Sequence, residues 1–393
     1  MNIKTIIDYD LCSGCGACSI ICPKEAISIY KSPCLNKPAI DMKLCINCHK
    51  CINICPGYKY YSQIFLESNS QKINFNKNFI KGSICYSSDI ELRKQSSSGG
   101  YITSLLVELI KRKEIDGVIT LKNSNENLLE YEGCLITNFS DLLNTKGSKY
   151  HPVSVCEGLK YITDIEGKFV FVGKPCDIYA AKLLGKKNSK LKGKIILFIS
   201  IFCNHTPCRD QLLKLLKDIK INSTDIQKIY YRGNGWPGEF KIIGKNEQIL
   251  FSDTYRNIWD NYFCDFIPTV CQLCDDPFGN ESDISVGDAW GYKDESNLGY
   301  SAVFLNTQQG IVYHNLGLQN DIIIEKETII STILNGQESL VSRQKLNYLV
   351  KEAFFLNKRG LLDFAKFFLL KNNFSLFEKI QIIKLRIRLL LRR

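Results

Sequence analysis

The chain has 393 residues, 45% of them hydrophobic and 23% charged, with 18 cysteines and a net charge of +11. Its length suits two or three domains of ordinary globular composition. No run of about 18 apolar residues occurs, which excludes a spanning helix. The opening MNIKTIIDYD lacks an apolar signal core, so a reducing, cytoplasmic setting is the expectation.

The first element in chain order is a dense cysteine run. Cys12, Cys15, Cys18 and Cys22 stand at Cys-x2-Cys-x2-Cys-x3-Cys and Pro23 follows; Cys45, Cys48, Cys51 and Cys55 repeat the spacing and Pro56 follows. That run is the bacterial ferredoxin pattern for 4Fe-4S clusters, in which the fourth cysteine of each run serves the other cluster. One cluster is therefore expected on Cys12, Cys15, Cys18 and Cys55, and a second on Cys45, Cys48, Cys51 and Cys22. The small residues Ser13, Gly14, Gly16 and Ala17 let backbone N–H groups approach the cluster. Cys34 fits neither run and reads as a packed apolar thiol. Residues 1–60 thus form a two-cluster domain that moves single electrons.

Residues 61–80 are polar and mixed and read as a linker. Beyond them, three strand–loop–helix units follow: SSSGGYITSLLVELIKRKEIDGVITL, GKFVFVGKPCDIYAAKLLGKK and GKIILFISIFCNHTPCRDQLLKLLKDI. They argue for α/β layering over residues 81–330. KIYYRGNGWPGEFKIIG reads as two strands about a Gly/Pro turn. Ser97, Ser98, Gly99 and Gly100 precede a helix start, where glycine and free N–H groups suit a phosphate, although a simple N-cap has the same composition. In KGSKY, Ser148 and Lys149 read either as phosphate contacts beside a stacking Tyr150 or as a solvated loop. Gly173, Lys174 and Pro175 end a strand at the edge where α/β sheets place ligands. Cys176, at the following helix start, reads as a reactive thiol, a cluster ligand or a packed side chain. Cys264, Cys271 and Cys274 stand at Cys-x6-Cys-x2-Cys, for which zinc is the alternative to iron–sulfur.

The region after 330 reads as helical. Its last twenty residues, FSLFEKIQIIKLRIRLLLRR, carry six Lys or Arg against one Glu. Leu376, Ile380, Ile383, Ile387 and Leu390 fall at helical spacing on one face, which Ile382, Leu385, Leu389 and Leu391 broaden. A basic amphipathic helix of this kind suits either docking on protein or peripheral contact with an anionic membrane surface.

The ordered landmarks SSSGGYITSLL, KGSKY, FVGKPCDIYAAK, FCNHTPC, CDFIPTVCQLCDDPF and SDISVGDAWG resemble the family of coenzyme F420 hydrogenase and dehydrogenase beta subunits over about residues 81–310. The resemblance implies a flavin, usually FAD, against the SSSGG, GSK and GKP loops, and a third 4Fe-4S cluster within the large domain. It places Cys203 in the family position beside Cys264, Cys271 and Cys274. Two departures stand out: Lys174 where many relatives have threonine, and Cys208 where they have serine. His205 reads as a structural histidine or as a proton donor near the flavin, and Asp288 either shapes that site or simply holds a turn. Relatives include enzymes of the deazaflavin coenzyme, proteins of surface-polysaccharide gene clusters and a chlorophyll-intermediate reductase.

The fold expected is an α+β ferredoxin-like cluster domain, an α/β flavin-binding domain, and a helical C-terminal region over 331–393. The expected function is an iron–sulfur flavoprotein oxidoreductase. It would exchange electrons with a ferredoxin or hydrogenase/dehydrogenase-type subunit and deliver them to a small-molecule acceptor, with no nucleic-acid partner. The alternative is a relay subunit that feeds a partner enzyme and does no substrate chemistry.

Overall fold

The computed structural model describes residues 1–66, 79–292, 297–326, 328–359 and 376–391. The N-terminal module holds a small hairpin, β1 (Ile27–Tyr30) and β2 (Lys37–Ile40), between its two cysteine loops. Its last helix, Pro56–Phe65, runs into the segment expected as linker; residues 67–78 of that segment lie outside the described residues. The module shares a core with the large domain. Ile3, Ile6, Leu11 and Ile54 belong to one apolar cluster with Val155, Leu159, Phe171 and Ile178.

The large domain is built on eight strands: β3 (Lys81–Ser87), β4 (Gly117–Asn123), β5 (Tyr131–Ile136), β6 (Phe169–Gly173), β7 (Ile195–Ile201), β11 (Ile284–Asp288), β12 (Ser301–Leu305) and β13 (Ile323–Lys326). They form one mixed sheet in the order β13-β3-β12-β11-β7-β6-β4-β5. β4, β6, β7 and β11 run parallel. Their central residues are buried on both faces, as in Phe169–Phe171. Such two-sided burial is what a parallel strand requires.

The α/β expectation holds for this half of the sheet and is corrected at its edges. β5 returns antiparallel on β4, and β12 antiparallel on β11. The described residues between β11 and β12 contain no helix, and a parallel return needs a long crossover, usually helical. KIYYRGNGWPGEFKIIG forms β8 (Ile226–Tyr230) and β9 (Glu239–Gly244), as read. A strand not anticipated, β10 (Ile249–Thr254), completes a separate three-stranded sheet.

Cys34, read as a packed thiol, is instead disulfide-bonded to Cys208, 174 residues away. The pairing follows from a local interface. The backbone N–H groups of Arg209 and Asp210 donate to the carbonyls of Cys34 and Pro33 at 3.3 and 2.9 Å. Arg209 also donates to the Ser32 carbonyl and to Asn36 Oδ1, the latter at 2.8 Å.

At the C-terminus, the helix Leu376–Leu391 lies against the helix Glu338–Arg359. Ile382 is fully buried with Leu349, Ala353 and Leu356, and Tyr348 donates to Glu378. The expected apolar face is thus divided. Ile382 points to protein, whereas Ile380 and Ile387 are exposed.

A cavity and three groups of thiols

The cysteine loops enclose two small cavities. One is lined by Cys12, Cys15, Cys18 and Cys55, with Cys51 at its edge. The other is lined by Cys22, Cys45, Cys48 and Cys51. Each holds the four thiols that the crossed reading brings together. Gly14 and Gly16 adopt left-handed φ angles of 74° and 85°, which turn this short loop around its cavity. Burial pushes Cys12 up to about 12. It also raises Cys18 and Cys55 well above the usual thiol range, and neighbouring thiols add to the effect. Among the described residues, no imidazole or carboxylate lines the first cavity. An all-thiol set of this kind suits an iron–sulfur cluster.

A third group of thiols gathers below the carboxyl ends of β6 and β7. Gly173 pairs with Ser200 across these adjacent parallel strands, so Cys176 and Cys203, three residues further along each, emerge side by side. The Cys203 N–H donates to the Pro277 carbonyl at 2.9 Å, which draws in the loop carrying Cys271 and Cys274. Cys203 lies within electrostatic reach of Cys271, Cys274 and Lys174, and Cys176 within reach of Cys203. Burial pushes Cys203 up to about 12 and Cys271 to about 11. Cys264 is placed differently. It follows the π-turn Trp259–Phe263, and the charges acting on it are those of Asp260 and Asp265, with no thiol among them.

Above this group opens a cavity of about 780 Å³. Ser97, Ser98, Gly100, Ser148, Lys149, Gly173, Lys174 and Cys203 all line it, so the three loops singled out in the sequence converge. Two of those loops touch directly: the Ser148 N–H donates to Ser97 Oγ at 2.7 Å. Gly100 starts the helix Tyr101–Lys111 with a φ of 79°. Gly99 and Pro175 are not in the cavity lining. Gly99 serves packing, since a Cβ there would lie 2.5 Å from the Cys85 carbonyl oxygen and 2.6 Å from the Ser301 nitrogen.

The two lysines are engaged within the protein. Lys149 Nζ donates to the carbonyls of Thr145, Lys146 and Gly147 at 2.9, 2.5 and 3.0 Å, and so clamps its own loop. Burial, with Lys228 and Lys146 nearby, pulls its pKa down to about 7. Lys174 Nζ lies 2.8 Å from Asp177 Oδ2. Burial works against the Lys174 charge, but Asp177 and the Cys176 sulfur offset it and the pKa rises.

Several wall residues were invisible in the sequence. Arg232 is 3% exposed. Its Nη1 donates to Asp288 Oδ2 at 2.6 Å, its Nε to the Pro237 carbonyl at 3.0 Å, and its guanidinium lies 4.3 Å from the Tyr255 ring centre. Burial raises the Asp288 carboxyl, and Arg232 counters it. Tyr150 packs edge-on to Trp259 at 4.8 Å. His205 Nε2–H donates to the Phe263 carbonyl at 2.7 Å, and burial pulls its pKa down to about 4. The ring is therefore neutral at pH 7 with its proton committed to Phe263. That corrects its reading as a proton donor and leaves Nδ1 as an acceptor. Asp177 Oδ1, His151 Nδ1, His205 Nδ1 and Arg232 Nη2, all on residues of this wall, are buried without a hydrogen-bond partner in the protein. Buried polar atoms are rarely left unpaired, so the cavity has the character of a polar ligand's seat. Asp288, Tyr150 and His205 carried local signals, in SDISVGDAWG, KGSKY and FCNHTPC. Arg232, Tyr255 and Trp259 come from an apparent turn and a helix with no motif of their own.

Paired four-thiol cavities, with a polar-lined cavity in the large domain, mark an iron–sulfur electron-transfer protein of the oxidoreductase type. The chain belongs to the family of coenzyme F420 hydrogenase/dehydrogenase beta subunits: residues 84–160 match its N-terminal part, residues 166–329 its C-terminal part, and residues 4–64 a 4Fe-4S dicluster domain. It is 27% identical over 323 residues to a component of the F(420)H(2) dehydrogenase of Methanosarcina mazei, covering 80% of this chain and 84% of that one. It is 26% identical to the coenzyme F420-dependent sulfite reductase of Methanocaldococcus jannaschii, covering 79% of this chain and 46% of that one. In fold it resembles a chain of the F420-reducing [NiFe] hydrogenase complex from Methanosarcina barkeri, with a TM-score of 0.55 at 19% identity over 72% of this chain and 94% of that chain.

Proposed function

We propose that the chain is an iron–sulfur flavoprotein subunit that passes electrons between a redox partner protein and a small-molecule acceptor of the deazaflavin class. Three 4Fe-4S clusters and one FAD form its path. The observation that carries the reading is the convergence of the SSSGG, GSK and GKP loops on one chamber directly above a group of thiols. The buried orphan atoms of its wall supply hydrogen-bonding positions for a polar cofactor. The names of these relatives, tied to coenzyme F420, support a deazaflavin as the acceptor.

FAD, when bound, supplies the conversion between single electrons and a pair. The chain's own residues do the rest. Ser97, Ser98 and the N–H groups after Gly100 offer donors to phosphate oxygens. Arg232, held by Asp288 and Tyr255, presents a fixed positive charge to one end of the chamber. Tyr150, Tyr255 and Trp259 form an aromatic group on the same wall and exclude water there. The third cluster would be held by Cys203, Cys271 and Cys274, with Cys176 as the fourth thiol.

Anaerobic purification with flavin and iron assays tests this reading. The expected result is close to one FAD per chain, with the flavin absorbance bleached on stepwise reduction. Protein that carries its iron but neither retains nor binds FAD would leave the pure relay standing instead.

The outward face of the helix Leu376–Leu391 belongs to the same reading as a peripheral membrane contact. Exposed Ile380, Lys384 and Ile387 share this helix, and each basic residue near an anionic surface contributes about 1 kcal/mol. The full chain is expected to float with anionic but not neutral liposomes, and an Ile380→Glu/Ile387→Glu variant to stay behind. Equal flotation of both proteins would remove the helix as a membrane contact.

A further inference from the structure

The two cavities of the N-terminal module differ in what surrounds them. The cavity of Cys12, Cys15, Cys18 and Cys55 faces inward. Its loop lies flush against residues 154–157: Ser154 Oγ donates to the Gly14 carbonyl at 2.8 Å, and the Cys156 N–H to the Cys15 carbonyl at 3.0 Å. A Cβ on Gly16 would meet Ser154 and Glu157 at 2.9 and 2.8 Å. Behind it, Cys156 Sγ lies 3.5 Å from the carbonyl oxygen of Asp177, the residue next to Cys176. The helix that follows Cys55 reaches the same third group. Lys59 Nζ lies 3.0 Å from Asp275, the neighbour of Cys274, and Lys351 holds that carboxylate from its other side at 3.0 Å.

The cavity of Cys22, Cys45, Cys48 and Cys51 faces solvent. Cys48 is exposed, and Lys24, His49 and Lys50 stand on the cavity's wall, with no carboxylate among the described residues that line it. The loop that carries it exposes Met42, Leu44 and Ile46 at 56%, 50% and 58%. Lys43 lies among them, and the nearby Asp41 turns an oxygen back onto the Lys43 N–H at 2.8 Å. Exposed apolar side chains beside three lysines, Lys24, Lys43 and Lys50, against the carboxylates of Asp41 and Glu25, are the composition of a transient docking patch.

We propose that residues 41–50 and Lys24 form the docking face for an external one-electron carrier, a small acidic iron–sulfur protein of the ferredoxin type. With clusters held by Cys22, Cys45, Cys48 and Cys51, by Cys12, Cys15, Cys18 and Cys55, and by the third thiol group, electrons would cross from the carrier to the first, then to the second, then to the third. In each crossing the carrier would be oxidised by one electron and the outer cluster reduced by one. Two crossings supply the pair that the acceptor takes. The patch fits this carrier because its cations attract an acidic surface. Its apolar centre lets the partner's cofactor approach the exposed Cys48. The proposal rests on the electron-transfer reading above and adds the face and the order.

Stopped-flow reduction of the anaerobic holoprotein tests it, with a chemically reduced acidic 2[4Fe-4S] ferredoxin as the probe. A Met42→Glu/Lys43→Glu variant, changed at two exposed positions outside the cavity lining, is compared with wild type and with Lys217→Glu, an exposed change elsewhere. At low salt the double variant is expected to be reduced at least about tenfold more slowly by ferredoxin, as loss of electrostatic steering predicts. The difference should fade at high salt, while iron content and reduction by dithionite stay unchanged. Equal ferredoxin rates in all three proteins overturn the proposal. So does a ferredoxin that never reduces wild type when dithionite does. A wild-type dimer that the double variant dissolves, seen by sedimentation, would assign the face to a second copy of the chain and also overturn it. If neither reductant delivers electrons to the chamber, the electron-transfer reading itself fails, and that result is distinct from the others.

Discussion

Replacing Cys176 with alanine is expected to remove about four of about twelve iron atoms per chain, the content of one 4Fe-4S cluster out of three. Cys264→Ala is expected to leave all of them. The reason is placement. Cys176 and Cys203 leave adjacent parallel strands in register, and the Cys271–Cys274 turn is drawn in through Pro277, whereas Cys264 has carboxylates rather than thiols around it. Cys271→Ser should behave like Cys176→Ala. Iron assay together with low-temperature EPR reads the result, because the two N-terminal signals must survive in every variant. Iron loss in Cys264→Ala with full retention in Cys176→Ala would reverse the assignment. Reduction of the chamber by an external donor should fall with the lost cluster, since Cys203 of this thiol group lines the cavity.

The second large effect concerns stability. Glu130, buried at 5%, accepts from Arg209 Nε at 2.6 Å and Nη2 at 3.1 Å, and His151 Nε2 lies 3.3 Å away. Glu130→Gln is expected to destabilise the protein by about 3–5 kcal/mol, because removing one member of a buried pair strands the other charge. Arg209 would be the stranded charge, and it also binds Ser32 and Asn36 of the N-terminal module. The pH dependence has a definite sign. Burial pushes the Glu130 carboxyl up, but the nearby His151 and the hydrogen bonds from Arg209 prevail and hold it at about 2, below its ordinary 4.5. A carboxyl depressed on folding contributes fully above its unfolded pKa and loses the contribution as pH falls from about 4.5 toward 2. Burial also lowers the His151 pKa, so that ring is neutral at pH 7 and Arg209 supplies the balancing charge. Thermal melts should show wild type losing stability through that window and Glu130→Gln varying much less. Parallel curves for the two proteins would show that the pair contributes little.

What could be read from the sequence is what local spacing encodes. The two cysteine runs need nothing beyond their own loops, so their pairing was legible from the spacing and the proline that ends each. The loops SSSGG, GSKY and GKPC were legible as ligand-facing because each precedes a helix or ends a strand. The chamber's opposite wall was not. Arg232 precedes a turn, Tyr255 sits in the short helix Tyr255–Ile258 and Trp259 opens the π-turn that follows, and they meet only in the folded chain. Cys34 and Cys208 pair across two segments with no shared pattern, and spacing alone cannot supply a pairing of that kind. The tail's periodicity gave a helix, but the face it buries centres on Ile382, because the helix Glu338–Arg359 decides which side is covered.

The seam between Gly14–Gly16 and residues 154–157 also bears on how the protein is made. During synthesis the eight N-terminal cysteines emerge long before the segment that packs behind the inner loop, and longer still before Arg209. A nascent chain can therefore display complete ligand runs while the Gly14–Gly16 loop lacks its outer support. The same seam makes the module a poor cassette for transplantation. Cut at residue 66 and grafted elsewhere, it would carry the carbonyls of Gly14, Cys15, Ser32, Pro33 and Cys34 stripped of their donors.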